Sequence, residues 1–387
     1  MINIKGGIQL SYLISIIIPI YNAENYIETG LKSIMSQSIG FKNLEVVCVN
    51  DNSTDSTLEI LKPYGEKYEN IKIINLNENH GHPGIPRNIG IESASSDYIM
   101  FMDQDDYFEH QGCEILYKKI IKENVDIVSG RWYKLVDGIK IPFRPLESEI
   151  KIKNIKEDPT ILGQPSFLWV KIFKKSLLQK NNIDFPETGI EDVVFTSHAF
   201  LKANGIIMLK DEYVYTHFVN QDSISRSKTK YYLNQLLIGY QKAYERFLEN
   251  EYQDFFKYLI NMRLHYFLKT MMRSELTQKD SLEIIIQFQK FYIKSKTLGA
   301  TPGEKLELLF NLIETNHLEN ALWLINKLKK MDKLGQQNKI LKSKNKILKS
   351  KNKNLIKENK NLKTQLKRIT PLKGYILYKI KVNKLNE

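Results

Sequence analysis

Tyr98-Ile-Met-Phe-Met-Asp-Gln-Asp-Asp106 passes, within nine residues, from an apolar run to a cluster of carboxylates. The apolar part, 98–102, reads as a buried strand. Asp103, Asp105 and Asp106 then gather where that strand ends. Carboxylates this close repel one another unless protons or a cation neutralise them. A hard divalent ion with oxygen ligands, Mg²⁺ or Mn²⁺, is the natural partner. An ion held by one or two protein carboxylates takes its other ligands from phosphate and water. The plain alternative is an acidic surface loop after a strand.

Working outward, residues 14–130 alternate between strand-like and helix-like segments. Strands are predicted over 14–20, 44–49, 71–76, 98–102 and 126–129. Helical patterns run over 23–37, 56–68, 87–94 and 111–123, and Asn52-Ser-Thr-Asp55 offers N-caps for the second. Such alternation predicts an α/β fold, a doubly wound and mostly parallel sheet with helices on both faces. Ligands bind such sheets beyond the carboxyl ends of the strands. There the first strand runs into Pro19-Ile-Tyr-Asn-Ala-Glu24, the second into Asn50-Asp-Asn-Ser-Thr-Asp55, the fourth into the Asp103 cluster. Tyr21 is suited to stack on a base or simply to pack. Asp51 is suited to accept hydrogen bonds from a base or ribose, or to serve as a turn residue. Together, at successive strand ends, these groups describe a nucleotide-diphosphate pocket.

Four motifs, Ser15-Ile-Ile-Ile-Pro-Ile-Tyr-Asn22, Val49-Asn-Asp-Asn-Ser-Thr-Asp55, Pro86-Arg-Asn-Ile-Gly90 and Met102-Asp-Gln-Asp-Asp106, stand in order. In them the chain resembles the family 2 inverting glycosyltransferases of GT-A fold, over roughly residues 14–220. The resemblance implies nucleotide-sugar binding, with a UDP-sugar as donor. Pro19, Tyr21, Asn22, Glu24 and Asp51 would line the nucleotide side. Asp103, Gln104, Arg87 and Asn88 would lie near the diphosphate, and Asp105 and Asp103 at an Mn²⁺ or Mg²⁺ ion. A guanidinium suits phosphate oxygens, which agrees for Arg87; its bland alternative is a surface charge at a helix start.

Further on, Pro165 to Lys174 resembles the family segment that continues the sheet toward the acceptor. Trp169 there reads as a core residue rather than a sugar platform. Thr188-Gly-Ile-Glu-Asp-Val-Val-Phe195 places an acidic pair before an apolar run, as a helix N-terminus favours. Sequence physics does not separate Glu191 from Asp192; the resemblance assigns the general base to Asp192. After the strand-like Tyr213-Val-Tyr-Thr-His217, the segment Ser223-Ile-Ser-Arg226 resembles the piece that closes over the diphosphate, with Arg226 on it. His217 is either a third metal ligand or a structural histidine.

Residues 229–331 have a helical period and no motif tied to chemistry. The domain reading is therefore 1–228 catalytic, 229–331 helical, 332–369 basic coiled coil and 370–387 basic amphipathic tail. In the coil, Asn338-Lys-Ile-Leu-Lys-Ser-Lys344 is repeated identically at 345–351, with looser copies after it. Leu341, Leu348, Leu355 and Leu362 take d positions, and Asn338, Asn345, Asn352 and Asn359 take a, a weak but register-specific seam that predicts a homo-oligomer. Residues 332–387 hold 17 Lys and Arg against 3 Asp and Glu, which exceeds the whole chain's formal charge of +13. The remainder is close to neutral. Tyr, Ile and Leu mixed with Lys after Pro371 suit an anionic membrane surface. No nucleic-acid-binding motif is visible, so nucleic acid is not expected.

An apolar content of 42% supports a sizeable core. No run is long enough to span a bilayer, and the N-terminus shows no signal-peptide pattern. Cys48 and Cys113 form no metal spacing. These features predict a cytoplasmic enzyme, peripheral on the inner face of the membrane. The expected reaction is metal-dependent inverting transfer of a hexosyl or N-acetylhexosaminyl group to a surface polysaccharide or lipid-linked oligosaccharide. A nucleotidyltransferase would want a Gly- and basic-rich loop where Tyr21-Asn-Ala-Glu24 stands. A non-catalytic scaffold would not need Asp51, Asp103, Asp105 and Asp192 together.

Overall fold

The computed structural model describes residues 12–219, 229–301, 306–331 and 360. Strands β1 (Ile14–Ile20) and β2 (Leu44–Asn50) are buried along their whole length. Both lie in the middle of a sheet covered on both faces, which is what continuous β-branched runs specify. Ile14, Ile16, Ile18 and Ile20 join one core with Ile27, Leu31 and Ile34 of α1 (Ile27–Met35) and Leu116 and Ile120 of α4 (Gly112–Glu123). Ile17 points the other way, onto Gly90 of α3 (Gly84–Ser93).

β3 (Ile71–Asn75), β2, β1 and β4 (Tyr98–Phe101) are mutually parallel and adjacent in that order. Ile20 stands opposite Asn50, and Ile17 opposite Phe101. The loops after β1, β2 and β4 therefore share one edge. α2 (Thr57–Lys67) makes the crossover between β2 and β3.

Beyond β4 the sheet turns mixed. β9 (Lys171–Lys174) is antiparallel to β4 on one side and to β6 (Ile127–Val136) on the other. β6 is parallel to the long β10 (Ile206–Phe218), which ends against the short antiparallel β5 (Tyr107–Phe108). β7 (Ile139–Pro142) hairpins onto β6, and β8 (Ile150–Ile152) pairs with β10. The mostly parallel sheet expected from the alternation is thus the first half only. Strand direction past β4 depends on long crossovers that local pattern does not encode.

α5 (Lys175–Lys180) and α6 (Glu191–Lys202) follow β9. The helices after β10 are α7 (Lys230–Glu249), α8 (Phe256–Arg273), α9 (Gln278–Lys296) and α10 (Glu307–Glu314). Residues up to Leu322 pack as one compact unit, so these helices are not set apart from the sheet; a second unit begins at Trp323, where 323–331 are helical. The predicted coil at 332–369, apart from the helical Lys360, and the tail at 370–387 lie outside the described residues, as does Arg226.

α7 docks where α6 begins. Its N-cap is Thr229, whose side chain accepts from the Tyr232 amide. Gly189 N–H donates to Gln235 Oε1 at 3.1 Å. A Cβ at Gly239 would lie 2.1 Å from Ile190 Cγ1 and 3.1 Å from Thr188 Oγ1. Gly239→Ala is expected to destabilise the fold by about 1–3 kcal/mol through overpacking, with a lowered urea midpoint at unchanged slope as the readout.

Candidate active site

The loop after β1 is knitted to its neighbours rather than left free. Tyr21 N–H donates to Gln104 Oε1 at 2.7 Å, and Gln104 Nε2 returns a bond to Tyr21 O at 3.0 Å. Asn22 adopts φ 48°, the left-handed region that Asn tolerates. Its side-chain oxygen accepts from Thr54 N–H at 2.8 Å. Glu24 accepts from Ser56 N–H at 3.0 Å, just ahead of α2. Asn22 and Glu24 therefore shape the rim, while the Tyr21 ring stands exposed above it. Pro19 is buried inside β1, opposite Val49.

Asp51 closes β2 and is almost fully buried. Its carboxylate accepts from His80 N–H at 3.0 Å and meets His80 Nδ1 at 2.7 Å. The loop 77–83 is thereby drawn over the end of β2. Asn88, on α3, hydrogen-bonds the backbone of Phe185 in both directions.

Arg87 links distant parts of the chain. α3 starts at Gly84, so Arg87 falls in its first turn and faces inward, 4% exposed. Nη2 donates to Asp103 Oδ1 at 2.7 Å and Nη1 to Glu191 Oε1 at 2.5 Å. One guanidinium thus ties the acidic end of β4 to the start of α6, a fork geometry that lysine lacks. Nε is buried with no partner among the described residues. Burial pushes the Glu191 carboxyl up, opposed by the Arg87 charge.

The three acidic neighbours have separate roles. Asp103 is taken by Arg87, and its own N–H donates to the Tyr215 hydroxyl at 3.1 Å. Asp106 is buried, accepts from Phe218 N–H at 2.7 Å and lies 3.2 Å from His217 Nδ1. Burial raises the Asp106 carboxyl, and the Asp106 carboxylate raises the His217 imidazole against its own burial. His217 stacks on Trp169 at 5.5 Å and Trp169 on Tyr215 at 4.7 Å. Asp105 has no ion-pair partner among the described residues. Burial, then Asp106 and Asp103, push its carboxyl up to about 7.

The expected metal set does not converge as a cage: among the described residues no three His, Cys, Asp or Glu side chains are placed to hold an ion. Asp103 is turned to Arg87 and His217 Nδ1 to Asp106. The donor chemistry nevertheless suits a hard cation at Asp105, the member of the cluster with no ion pair among the described residues.

Glu191 and Asp192 begin α6 and diverge, as adjacent helical residues do at about 100° per residue. Glu191 points to Arg87. Asp192 accepts from Ser166 Oγ at 3.2 Å. Its charge is felt by Lys171, by Tyr232 and Tyr240 of α7, and by Arg263 of α8. The helices thus share in the surroundings of Asp192, and no motif signalled this.

Compared with known families, residues 15–179 match glycosyl transferase family 2. This segment is a family 2 glycosyltransferase domain. The domain resembles a poly(ribitol-phosphate) beta-glucosyltransferase of Bacillus spizizenii, 38% identical over 214 residues, 54% of this chain and 32% of that protein. It also resembles the poly(ribitol-phosphate) beta-N-acetylglucosaminyltransferase TarS of Staphylococcus aureus, 35% identical over 206 residues, 52% of this chain and 35% of that one. The chain spans about a third of the length of these two relatives. The crystal structure of S. aureus TarS 1–349 in complex with UDP-GlcNAc superposes with a TM-score of 0.67 at 25% identity, covering 80% of this chain and 89% of that one. The likeness therefore extends past the family 2 domain into the helices.

Replacing Arg87 removes one partner of two buried pairs, for which about 3 kcal/mol of destabilisation is expected. In Arg87→Met, Glu191 keeps the push of burial and loses its counter-charge, so the folded state holds that proton more tightly than the unfolded one. Stability of the variant then falls as pH rises through and above the ordinary carboxylate range. Urea unfolding at about pH 5 and about pH 7.5 should show the deficit against wild type widening at the higher pH.

Proposed function

We propose that the chain transfers a sugar, with inversion, from a UDP-sugar to a hydroxyl of a polyol-phosphate-type surface polysaccharide. The observation that carries this is the division of acidic groups between two walls. Asp105 follows β4 with no ion pair among the described residues, next in sequence to Gln104, which is bonded to Tyr21, and Asp51 follows β2 at the same sheet edge. Asp192 lies at the start of α6, among Ser166, Lys171 and the helices. A leaving diphosphate needs positive charge, which a cation held by the first group would supply, and an attacking hydroxyl needs a proton acceptor, which the second offers.

On this reading the uracil and ribose lie along Tyr21 and Asp51. Arg87, committed to two carboxylates, orders the walls rather than gripping phosphate. Asp192 accepts the proton of the acceptor hydroxyl as its oxygen bonds to the anomeric carbon. The bond from that carbon to the diphosphate breaks on the opposite face, and UDP departs with the electron pair. Asp105 would hold Mn²⁺ or Mg²⁺, with Asp103 and His217 as further candidates, and the ion would supply positive charge for the departing diphosphate.

The donor assignment is supported by UDP and UDP-GlcNAc in the TarS structures. The acceptor assignment is supported by the poly(ribitol-phosphate) relatives. A Borreliella burgdorferi protein named cholesterol galactosyltransferase is 28% identical over 321 residues, 74% of this chain and 88% of that one. The same scaffold thus accompanies a different acceptor name, so the acceptor needs direct measurement. Among the described residues no helix is long and apolar enough to cross a membrane. The basic segment 332–387 is assigned by composition to self-association and to an anionic surface near the acceptor.

A screen of UDP-sugars for hydrolysis, with and without divalent ion, tests the donor. Asp105→Ala is expected to abolish the ion-dependent turnover while circular dichroism stays unchanged; wild-type turnover in excess chelator would remove the metal from the scheme. For the base, Asp192→Asn should lose about 10²–10⁴ in kcat, the usual contribution of a general base, while calorimetry still shows UDP binding. Glu191→Gln, which keeps a hydrogen-bonding group against Arg87, should lose much less. The reverse order would assign the base to Glu191.

A further inference from the structure

We infer that Lys171 is a positioning residue for Asp192: it holds the turn that presents the Ser166 hydroxyl to that carboxylate. Lys171 opens β9 yet is 1% exposed. No carboxylate lies within ion-pair distance of it among the described residues. Its ammonium instead donates to two carbonyls, Phe167 O at 2.5 Å and Pro165 O at 3.2 Å. Those carbonyls flank Ser166. Ser166 Oγ donates to Asp192 Oδ2 at 3.2 Å, and Ser166 O accepts from Thr196 Oγ1 at 2.7 Å, one helical turn beyond Asp192. The turn is therefore pinned from both sides, by the lysine and by α6, with its hydroxyl between them on the carboxylate.

Burial pushes the Lys171 amine down to about 7, with Asp192 opposing it and the Arg131 guanidinium adding to it. An amine keeps two N–H donors with or without its extra proton, so the two carbonyls are served in either form. The groups around Lys171 are thus Asp192 from α6 and Arg131 from β6. Around Asp192 stand Glu191 beside it, Lys171, Arg263 from α8, and the phenols of Tyr232 and Tyr240 from α7.

The inference rests on Asp192 being the base, so its test is run beside Asp192→Asn. The measurements use the full chain, the UDP-sugar found to turn over in the screen, and UDP itself for calorimetry. Lys171→Met, similar in length and apolar, should lower kcat about 10- to 100-fold, the range that misplacement of a reacting group by near 1 Å brings. UDP affinity should change less than about twofold, because the donor wall is untouched. Lys171→Gln, which keeps an N–H donor for the two carbonyls, should recover part of the lost kcat. A role confined to filling space would give no such recovery over Lys171→Met. Ser166→Ala should lower kcat less, and the double variant should lose no more than Lys171→Met alone, because both act along one path. Wild-type kcat in both variants, with Asp192→Asn inactive, would overturn this inference and leave the proposed reaction standing. Retained turnover in Asp192→Asn would overturn both. If Lys171→Met fails to fold by circular dichroism, Ser166→Ala decides, and unchanged kcat there overturns the inference.

Discussion

A buried arginine set between two carboxylates from distant parts of the chain orders this site. Arg87 belongs to α3, Asp103 to the end of β4 and Glu191 to the start of α6. A single planar group reaches both because α3 starts early enough to turn Arg87 inward. With that ion pair in place, the direction of Glu191 is fixed. Asp192, the next residue, is then rotated toward Ser166 and the helices. The divergence of two neighbouring acids, on which the proposed chemistry depends, follows from which of them the guanidinium claims.

The first half of the molecule was legible because its signals are local. Continuous runs such as Ile14–Ile20 mark buried parallel strands, and Asp51 and Asp105 stand at strand ends because strands end there. The second half was less legible. β9 covers only Lys171–Lys174 of the apolar stretch after Pro165, and the residues before it form the turn clasped by Lys171. A lysine beside apolar residues reads as a strand-edge charge; only the fold shows it enclosed. Arg87 gave the same difficulty. Its partners are 16 and 104 positions away, beyond any window of periodicity. His217 was noticed in the sequence, but its relation to Asp106 and to the Trp169 stack came from the far part of β10 pairing with the two residues of β5.

The helices after β10 were read as a region without chemistry. Their apolar period was visible, and their destination was not. α7 lies so close to Ile190 that a methyl group at Gly239 has no room. Tyr232, Tyr240 and Arg263 consequently stand near the proposed base. Asp51, Tyr21 and Gln104 come from the strand ends of the family 2 domain, whereas the surroundings of Asp192 are assembled across a sequence span from Ser166 to Arg263. Such an arrangement lets an acceptor side diverge while the nucleotide side is retained.

The mixed sheet also has a consequence for dissection of the protein. The family match ends at residue 179, before α6 and β10. β10 pairs with β6 along most of its length and carries β5 on its far part. A fragment stopping at residue 179 would leave the β6 backbone unpaired along that side, an open template for strand addition between chains. The stretch that the family match covers is accordingly shorter than the smallest piece that closes the sheet, and proteolytic trimming from the C-terminal side should halt beyond β10 rather than at the family boundary.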